Sequence, residues 1–381
     1  MGPQILIFSA SIGEGHDLPA RLLADGIARE SPGAEVEIVD SLALVNPLVR
    51  RLVLDSSRFH SKWGNRVFDL SYRLITDVRP TRWLAAKLTR WLGSRPIRRA
   101  VLERAPDVVI STYPGSTEVL GDLRARRRID VPVVSAITDL AALRYWAHPG
   151  VDLHLITHPE SAEEVLHVAP GTDVRCVRGL TDERFYEPRS QADARCALDL
   201  PPEGPVVIVS GGGWAVGDLE GAAEEALRVP GATVVCLCGR NARLRAQLTE
   251  HFAGEPRVVL EGFTEQMPEW FAAADALVHS TAGLTVLEAI MRGCAVVSYG
   301  WGMGHLRVNN EAYARFGLAE VASSREDLAD ALQRALATKP APDESFARLP
   351  SAASAVLGLA DGELGDGGGA RQQPGAHGDR R

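Results

Sequence analysis

Residues 276–288 read Ala-Leu-Val-His-Ser-Thr-Ala-Gly-Leu-Thr-Val-Leu-Glu, an apolar run followed by small residues and then by a helical pattern. The apolar run predicts a buried strand over residues 276–279, and Gly283 opens the helix that follows. The same order of strand, turn and helix recurs along most of the chain. This alternation predicts an α/β fold in which helices cover parallel sheets.

Apolar, β-branched runs mark the candidate strands, which fall into two series. The first series comprises residues 4–8, 35–39, 107–111, 132–137, 152–157 and 173–177, and the second comprises residues 205–210, 232–238, 257–260, 276–279 and 295–299. A polar, proline-containing segment, residues 182–204, separates them. We therefore predict two doubly wound, Rossmann-like domains that face a cleft, with ligands beyond the carboxyl ends of the strands. The predicted domains are 1–182 and 183–345, and the Gly-rich composition after Asp361 predicts a disordered tail over 346–381.

The overall composition is that of an ordinary globular protein. The 381 residues carry a net charge of −8, whereas a nucleic-acid binder needs clustered Lys and Arg, so we expect no nucleic-acid partner. No apolar run is long enough to span a bilayer and the N-terminus does not resemble a signal peptide, so the expected location is cytoplasmic. Cys236 and Cys238 form a C-x-C motif inside a candidate strand, which favours core packing over a metal site. We expect no metal.

Residues 48–104 form a basic segment with a mostly helical pattern. They contain 14 Lys and Arg against 4 Asp and Glu, a local balance of +10, and they include Trp63, Trp83 and Trp91. A basic amphipathic helix with tryptophan is typical of an element that lies on an anionic membrane surface. The alternative is an apolar stripe that faces the core and has a basic, solvated back. Spacing alone does not decide between the two.

The turn after the first strand reads Ser-Ala-Ser-Ile-Gly-Glu-Gly-His over residues 9–16. Gly13 and Gly15 let the backbone approach a ligand closely, and a helix that starts near His16 offers unpaired N–H groups to it. Histidine titrates near neutral pH, as a general base should, so His16 is a candidate base. The alternative is a histidine that caps the helix for structural reasons.

Two strand ends of the second domain carry turns suited to phosphate groups. Gly211, Gly212 and Gly213 precede a helix and predict a cradle for a diphosphate. Arg240, followed by Asn241, could reach a phosphate with a forked, charge-assisted contact.

Two further strand ends complete this predicted site. Phe263 and Thr264 follow a strand at a point where an aromatic face and main-chain groups could hold a base. The next helix begins with Gly283, Leu284 and Thr285. Glu288 lies about one turn into that helix, where its carboxylate could accept hydrogen bonds from ribose hydroxyls. Four such turns at successive strand ends predict a nucleotide-diphosphate site.

On these residues the chain resembles glycosyltransferases of the GT-B fold, and more closely the monogalactosyldiacylglycerol synthase and diacylglycerol glucosyltransferase group. The motifs that carry the resemblance are Gly13-Glu-Gly-His16, Ile137-Thr-Asp139, Trp146-Ala-His-Pro-Gly-Val-Asp152, Gly211-Gly-Gly213, Gly262-Phe263, Met267, Ala273-Ala-Asp275 and Ala282-Gly-Leu-Thr285 through Glu288-Ala289. The resemblance covers residues 4–337. It implies a UDP-sugar in the second domain, an acceptor in the first, inverting transfer without metal or cofactor, and membrane contact by residues 48–104.

The resemblance also suggests roles for individual residues. His16, or alternatively Asp139, would remove the acceptor proton, and Asp139 could instead orient His16. Where the family commonly carries Gln-Glu for the sugar hydroxyls, this chain has Gly304 and His305, so His305 and Asn309 become the candidates for sugar contact.

We therefore predict an inverting glycosyltransferase that moves a hexose from a UDP-sugar to a diacylglycerol-type lipid. The alternatives are a glycosyltransferase with a soluble natural-product acceptor, a UDP-sugar 2-epimerase, and a non-catalytic UDP-sugar-binding protein.

Overall fold

A computed structural model describes residues 2–12, 14–45, 51, 78–300, 304–338 and 340–362, without the side chains of residues 14 and 305. Gly13, Trp63 and the rest of the basic segment between residues 45 and 78, apart from residue 51, lie outside this description, as do residues 363–381.

The first domain is built on a six-stranded parallel sheet. Its strands are β1 (Gln4–Ser9), β2 (Glu35–Asp40), β3 (Val108–Ser111), β4 (Val133–Ile137), β5 (Leu153–Ile156) and β6 (Asp173–Cys176). They lie in the order β2-β1-β3-β4-β5-β6. The described helices of this half are α1 (Glu14–Glu30), α2 (Ser41–Leu44), α3 (Arg79–Arg104), α4 (Pro114–Ala125) and α5 (Ala162–Val168).

A second parallel sheet of six strands forms the other domain. Its strands are β7 (Val206–Ser210), β8 (Thr233–Leu237), β9 (Val258–Glu261), β10 (Ala276–His279), β11 (Ala295–Tyr299) and β12 (Glu320–Ala322). They lie in the order β12-β11-β10-β7-β8-β9. The described helices that follow along the chain are α6 (Gln191–Ala197), α7 (Leu219–Leu227), α8 (Ala242–His251), α9 (Met267–Ala273), α10 (Leu284–Met291), α11 (His305–Phe316), α12 (Arg325–Thr338) and α13 (Ala352–Ala360).

The central strands explain why the sequence pattern was informative. Every residue of β3, β4, β5, β7, β8, β10 and β11 is buried, because helices cover both faces of each sheet. All predicted strands are confirmed. Cys236 and Cys238 are free thiols inside the second core, as predicted, and burial raises the pKa of Cys236 to about 12.

The C-terminal part of the described chain corrects the predicted tail. Instead of being disordered from residue 346, the chain returns to the first domain and forms α13, whose start is capped by Ser351 Oγ. Val356 and Leu359 pack into the same core cluster as Ile27 of α1. The apolar run of residues 352–360 buries against the first sheet, so the first domain is completed by residues from beyond the second.

Helix α3 settles which way the apolar side chains of the basic segment face. Ile97 and Val101 pack into the core beside α4. Trp83, Leu88 and Trp91 are exposed, and Trp91 is 75% exposed. These three apolar side chains therefore point to solvent rather than into the core. Within the described ranges, the helices lack the combination of length and hydropathy that crossing a membrane requires.

Candidate active site

Both parallel sheets have a topological switch point. On its two sides, successive strands are added to the sheet toward opposite edges. In the first sheet it lies between β1 and β3, and in the second it lies between β7 and β10. Ligands of doubly wound sheets bind beyond the carboxyl ends of the strands at such points. The turns that carry His16 and the Gly-rich loops follow β1, β7 and β10, so they occupy this position in each domain.

His16 is held by a backbone acceptor and two aromatic rings. Its Nδ1 lies 3.0 Å from the carbonyl oxygen of Thr112, at the end of β3. A carbonyl oxygen only accepts, so Nδ1 carries a proton, and in the neutral ring Nε2 carries the lone pair. The rings of Tyr113 and Trp146 lie 5.2 and 5.6 Å from the imidazole. This is the tautomer that a base acting through Nε2 requires.

Asp139 lies beyond β4 and reaches His16 through Trp146. One carboxylate oxygen accepts a hydrogen bond from Trp146 Nε1 at 3.0 Å, and the Trp146 carbonyl accepts from Ser135 Oγ at 2.7 Å. Trp146 is buried, so its ring is a fixed wall between the carboxylate and the imidazole. Asp139 can therefore orient His16 only indirectly, by fixing the orientation of the indole.

The remaining residues of the His16 turn complete its geometry. The Ser9 hydroxyl donates to the carboxylate of Asp17, which ties the start of the turn to α1. Among the described residues the space beside Gly15 is open, since a Cβ placed there would meet none of their atoms within 4 Å. Gly13, its predicted partner, lies outside the described residues.

The triglycine turn of the second domain is tightly closed. A side chain on Gly211 would overlap the backbone of Val216, whose N–H donates to the Gly211 carbonyl at 2.8 Å. The Gly213 carbonyl accepts from Arg240 N at 2.8 Å, which joins the turns after β7 and β8. Gly212 has a φ of +69°, in the left-handed region that glycine adopts without strain.

Arg240 and Phe263 form a stacked pair at the ends of β8 and β9. The guanidinium lies 3.7 Å from the centre of the phenyl ring, which is itself exposed. Asn241, which follows Arg240 in the predicted donor site, caps α8, because its Oδ1 accepts from Leu244 N at 3.0 Å. Thr264 Oγ1 similarly accepts from Gln266 N at 3.0 Å and shapes the turn.

The start of α10 faces the first domain. Gly283 has a φ of +89°, and a Cβ placed on it would lie 3.7 Å from Asp139 Oδ1. The N-cap residue Gly283 has no side chain to cap this helix, so the amide groups of Leu284 and Thr285 lie at a helix start that its own N-cap leaves open. Preceding them, His279 is buried, and burial lowers its pKa to about 4, so the ring is neutral. The turn thus presents N–H dipoles at the point where the two domains meet.

Glu288 is buried on α10 and contacts Thr181, near the end of the first domain. Its Oε1 is hydrogen-bonded to Thr181 Oγ1. Burial raises the pKa of Glu288 to about 7, and the Thr181 hydroxyl opposes that rise. The carboxyl group therefore binds a proton at a higher pH than an exposed glutamate does.

Asn309, a predicted sugar contact, lies where the two domains meet. This residue is completely buried, and its amide pairs with the backbone of Ala141 in the first domain. It joins the domains rather than lining an open sugar site, because α11 lies against the loop after β4. The side chain of His305, the other predicted sugar contact, lies outside the described part of the chain.

Sequence reasoning missed two residues that shape the site. The sequence marks Trp146 only as part of a motif, and it does not mark Thr181. The sequence signal for Trp146 is its place, seven residues after the candidate carboxylate in a loop that follows a buried strand. Nothing local marks Thr181, since its partner Glu288 lies 107 residues away.

Comparisons with known proteins match each domain separately. Residues 16–176 match the family model "Monogalactosyldiacylglycerol (MGDG) synthase", and residues 215–338 match "Glycosyl transferases group 1". The processive diacylglycerol beta-glucosyltransferase of Staphylococcus carnosus is 24% identical over 241 residues, which are 62% of this chain and 61% of that protein. The matched region thus spans about three fifths of the curated relative's length.

Solved structures agree on the fold across nearly the whole chain. MurG from Acinetobacter baumannii has a TM-score of 0.59 and 16% identity, and the match covers 94% of this chain and 99% of MurG. Arabidopsis thaliana UGT89C1 complexed with UDP has a TM-score of 0.52 and 16% identity, with 91% and 92% covered.

Two Rossmann-like domains that face one cleft define the GT-B fold, and this chain has it. Within that class, the matches confirm the resemblance to the monogalactosyldiacylglycerol synthase and diacylglycerol glucosyltransferase group.

Proposed function

We propose that this protein is an inverting hexosyltransferase that moves a hexose from a UDP-sugar to the hydroxyl of a diacylglycerol-type lipid. The observation that carries the proposal is the meeting of the two half-sites. Asp139, whose partner Trp146 contacts His16, faces Gly283 at the start of α10 across the domain boundary. A candidate base and an anion-binding helix start are thus neighbours, as transfer from a nucleotide-sugar requires.

The donor side is suited to a nucleoside diphosphate. The N–H groups at the start of α10, the Gly211–213 turn and the Arg240 guanidinium converge at the ends of adjacent strands. They would stabilise the negative charge that develops on UDP as it leaves. The exposed face of Phe263 beside Arg240 is suited to a flat base.

The acceptor side supplies proton removal. In our mechanism the acceptor oxygen forms its bond to the anomeric carbon while the bond from that carbon to the UDP oxygen breaks. The hydroxyl proton passes to Nε2 of His16, whose Nδ1–H stays on the Thr112 carbonyl. A single in-line displacement of this kind inverts the anomeric centre, and general base catalysis contributes roughly 10²–10⁴-fold to the rate.

The exposed stripe of α3 supports a lipid acceptor. Trp83, Leu88 and Trp91 face solvent on a helix with basic neighbours, and Lys87 Nζ lies 4.6 Å above the Trp83 ring. Such a face can enter the headgroup region of an anionic membrane. The diacylglycerol acceptor of the Staphylococcus relative favours the same assignment. A cytoplasmic location at the membrane face is part of this proposal.

The direct test is product analysis with a radiolabelled donor. Purified protein is incubated with UDP-glucose or UDP-galactose and diacylglycerol in anionic vesicles, and lipid extracts are separated. We expect a labelled glycolipid with the anomeric configuration opposite to that of the donor. Label only in an epimerised sugar nucleotide, formed without any acceptor, would identify an epimerase instead. Donor binding without transfer to lipids or to a panel of soluble acceptors would identify a sensor.

Calorimetry with UDP, UMP and uridine tests the donor site separately. The diphosphate-facing groups predict that UDP binds more tightly than UMP. Equal affinity for the three ligands would contradict the proposed donor site, whatever the acceptor proves to be.

A further inference from the structure

Trp214 is a large apolar side chain left in solvent at the rim of the triglycine turn. It is 56% exposed, and within the described ranges its indole has neither a hydrogen bond nor a ring contact. Its neighbour Ala215 is buried, so the chain places the small residue inside and the indole outside. Packing of the domain therefore does not explain the tryptophan.

The turn that carries Trp214 is rigid. A short 3-10 helix over Gly212–Trp214 is closed by hydrogen bonds from Ala215 N to the Gly212 carbonyl and from Val216 N to the Gly211 carbonyl. Ala215 has a φ of +51°, a left-handed conformation that is uncommon for a residue with a side chain. Backbone strain of this kind persists where the surrounding structure fixes it, and it is common at binding sites.

The position of the turn relates the indole to the diphosphate cradle. Gly213 O is bonded to Arg240 N on one side, and a Cβ on Gly212 would lie 3.4 Å from Thr281 on the other. The turn thus lies between the loops after β8 and β10, at the switch point of the second sheet. A group attached to a diphosphate bound there would extend from this rim.

We propose that Trp214 is the platform on which the hexose of the sugar nucleotide stacks, and that it determines affinity for the sugar part of the donor. The inference rests on the proposed function and adds a residue that contacts the sugar. A hexose has a face of C–H groups rimmed by hydroxyls. An indole has a matching apolar face and one N–H donor, and it is a rigid side chain that loses little entropy when it binds. Asn309, one of the two residues expected to contact the sugar, pairs with the backbone of Ala141 in the other domain.

The test compares UDP with UDP-glucose and UDP-galactose by calorimetry. Trp214→Ala should leave the Kd of UDP within twofold of wild type and raise the Kd of the sugar nucleotide by about 2- to 10-fold, the effect of one stacking contact. Trp214→Phe should recover most of the affinity, since it keeps a flat ring. Trp83→Ala, which removes an exposed tryptophan of the first domain, is the matched control and should change neither constant.

Two results would overturn the proposal while leaving the proposed function standing. One is an equal Kd for the sugar nucleotides in wild type and Trp214→Ala. The other is a Trp214→Ala variant with unchanged donor affinity and a raised KM for the acceptor, which would assign the indole to the acceptor. Failure of the wild-type protein to bind UDP would instead contradict the proposed function itself. Thermal melts of each variant verify that it folds, as the exposure of Trp214 predicts.

Discussion

Asn309 of α11 pairs with the backbone of Ala141, in the loop after β4 of the other domain. Its Oδ1 accepts from Ala141 N at 3.1 Å, and its Nδ2 donates to the Ala141 carbonyl at 3.5 Å. Leu140 and Ala141 belong to the same apolar cluster as Tyr313 of α11. The Asn309 side-chain amide therefore lies at the edge of an apolar contact between the two domains. The loop that carries Asp139 is therefore anchored on the second domain two residues after the carboxylate.

Loss of this amide should loosen the domain contact. Asn309→Ala leaves the Ala141 N–H and carbonyl buried without this partner, and we expect the free energy of unfolding to fall by about 1–3 kcal/mol. Urea unfolding followed by far-UV circular dichroism measures it. Asn310→Ala is the control, because Asn310 contacts Ser298 within the second domain. Unchanged stability together with altered sugar-nucleotide affinity would restore the original prediction that Asn309 contacts the sugar.

Glu288 should make stability depend on pH. Burial raises the pKa of this carboxyl to about 7, above its value in the unfolded chain. The folded state then binds more protons between about pH 4.5 and 7, so the stabilising contribution is present at low pH and is lost as pH rises through 7. Glu288→Gln removes this loss. The difference in the free energy of unfolding, Glu288→Gln minus wild type, should therefore be larger at pH 8 than at pH 5 by up to roughly 3 kcal/mol.

Thermal melts of Glu288→Gln across this pH range provide the measurement. The exposed carboxylate of Glu265 supplies the control, and Glu265→Gln should shift the melting temperature little at any pH. A pH-independent difference in stability between wild type and Glu288→Gln would mean that the carboxyl is charged throughout.

Glu288 is also the predicted ribose contact. In calorimetry, Glu288→Ala should weaken UDP binding by about 1–3 kcal/mol through lost ribose hydrogen bonds. An unchanged affinity in a folded variant would remove Glu288 from the nucleotide site.

The fold was readable from the sequence for a specific physical reason. Strands buried on both faces must be continuous apolar runs, and the predicted run 276–279 coincides with β10. The elements that the sequence did not predict lack such an apolar strand run. Strand β12 has only three residues, and α13 is an apolar helix next to a Gly-rich stretch that dominates the local composition.

The candidate site was readable only in part. Turns after buried strands lie at one edge of a sheet, so the His16, Gly211–213 and Gly283 loops could be placed from the pattern alone. Side-chain partners across the domain boundary could not. Glu288 with Thr181 and Asn309 with Ala141 are separated by 107 and 168 residues. Those pairs depend on how the domains dock, which no local pattern encodes.

Membrane attachment should depend on the exposed stripe of α3. In flotation assays with phosphatidylglycerol-containing vesicles, wild type should float at low salt. It should float less at high salt, because charge attraction is screened within about 10 Å at 0.1 M. A Trp83→Ala/Trp91→Ala variant should lose most of the binding at any salt.

Trp214→Ala removes an equally exposed tryptophan from the second domain and should float like wild type. Wild-type protein that remains unbound even at low salt would favour a soluble acceptor.

The assignment of His16 as the base separates an enzyme from a sensor. The Thr112 carbonyl holds the proton on Nδ1, so Nε2 is the basic atom, and His16→Ala should lower turnover by about 10²-fold or more with UDP affinity nearly intact. The wild-type rate should also fall at acid pH as a histidine protonates. Trp146→Phe keeps the aromatic wall but removes the indole N–H that Asp139 accepts, so it should reduce kcat less than His16→Ala does. Steady-state kinetics with calorimetry in parallel measures both quantities. A larger loss in Asp139→Asn than in His16→Ala would mean that the carboxylate is the base. Full activity in both variants would contradict the mechanism.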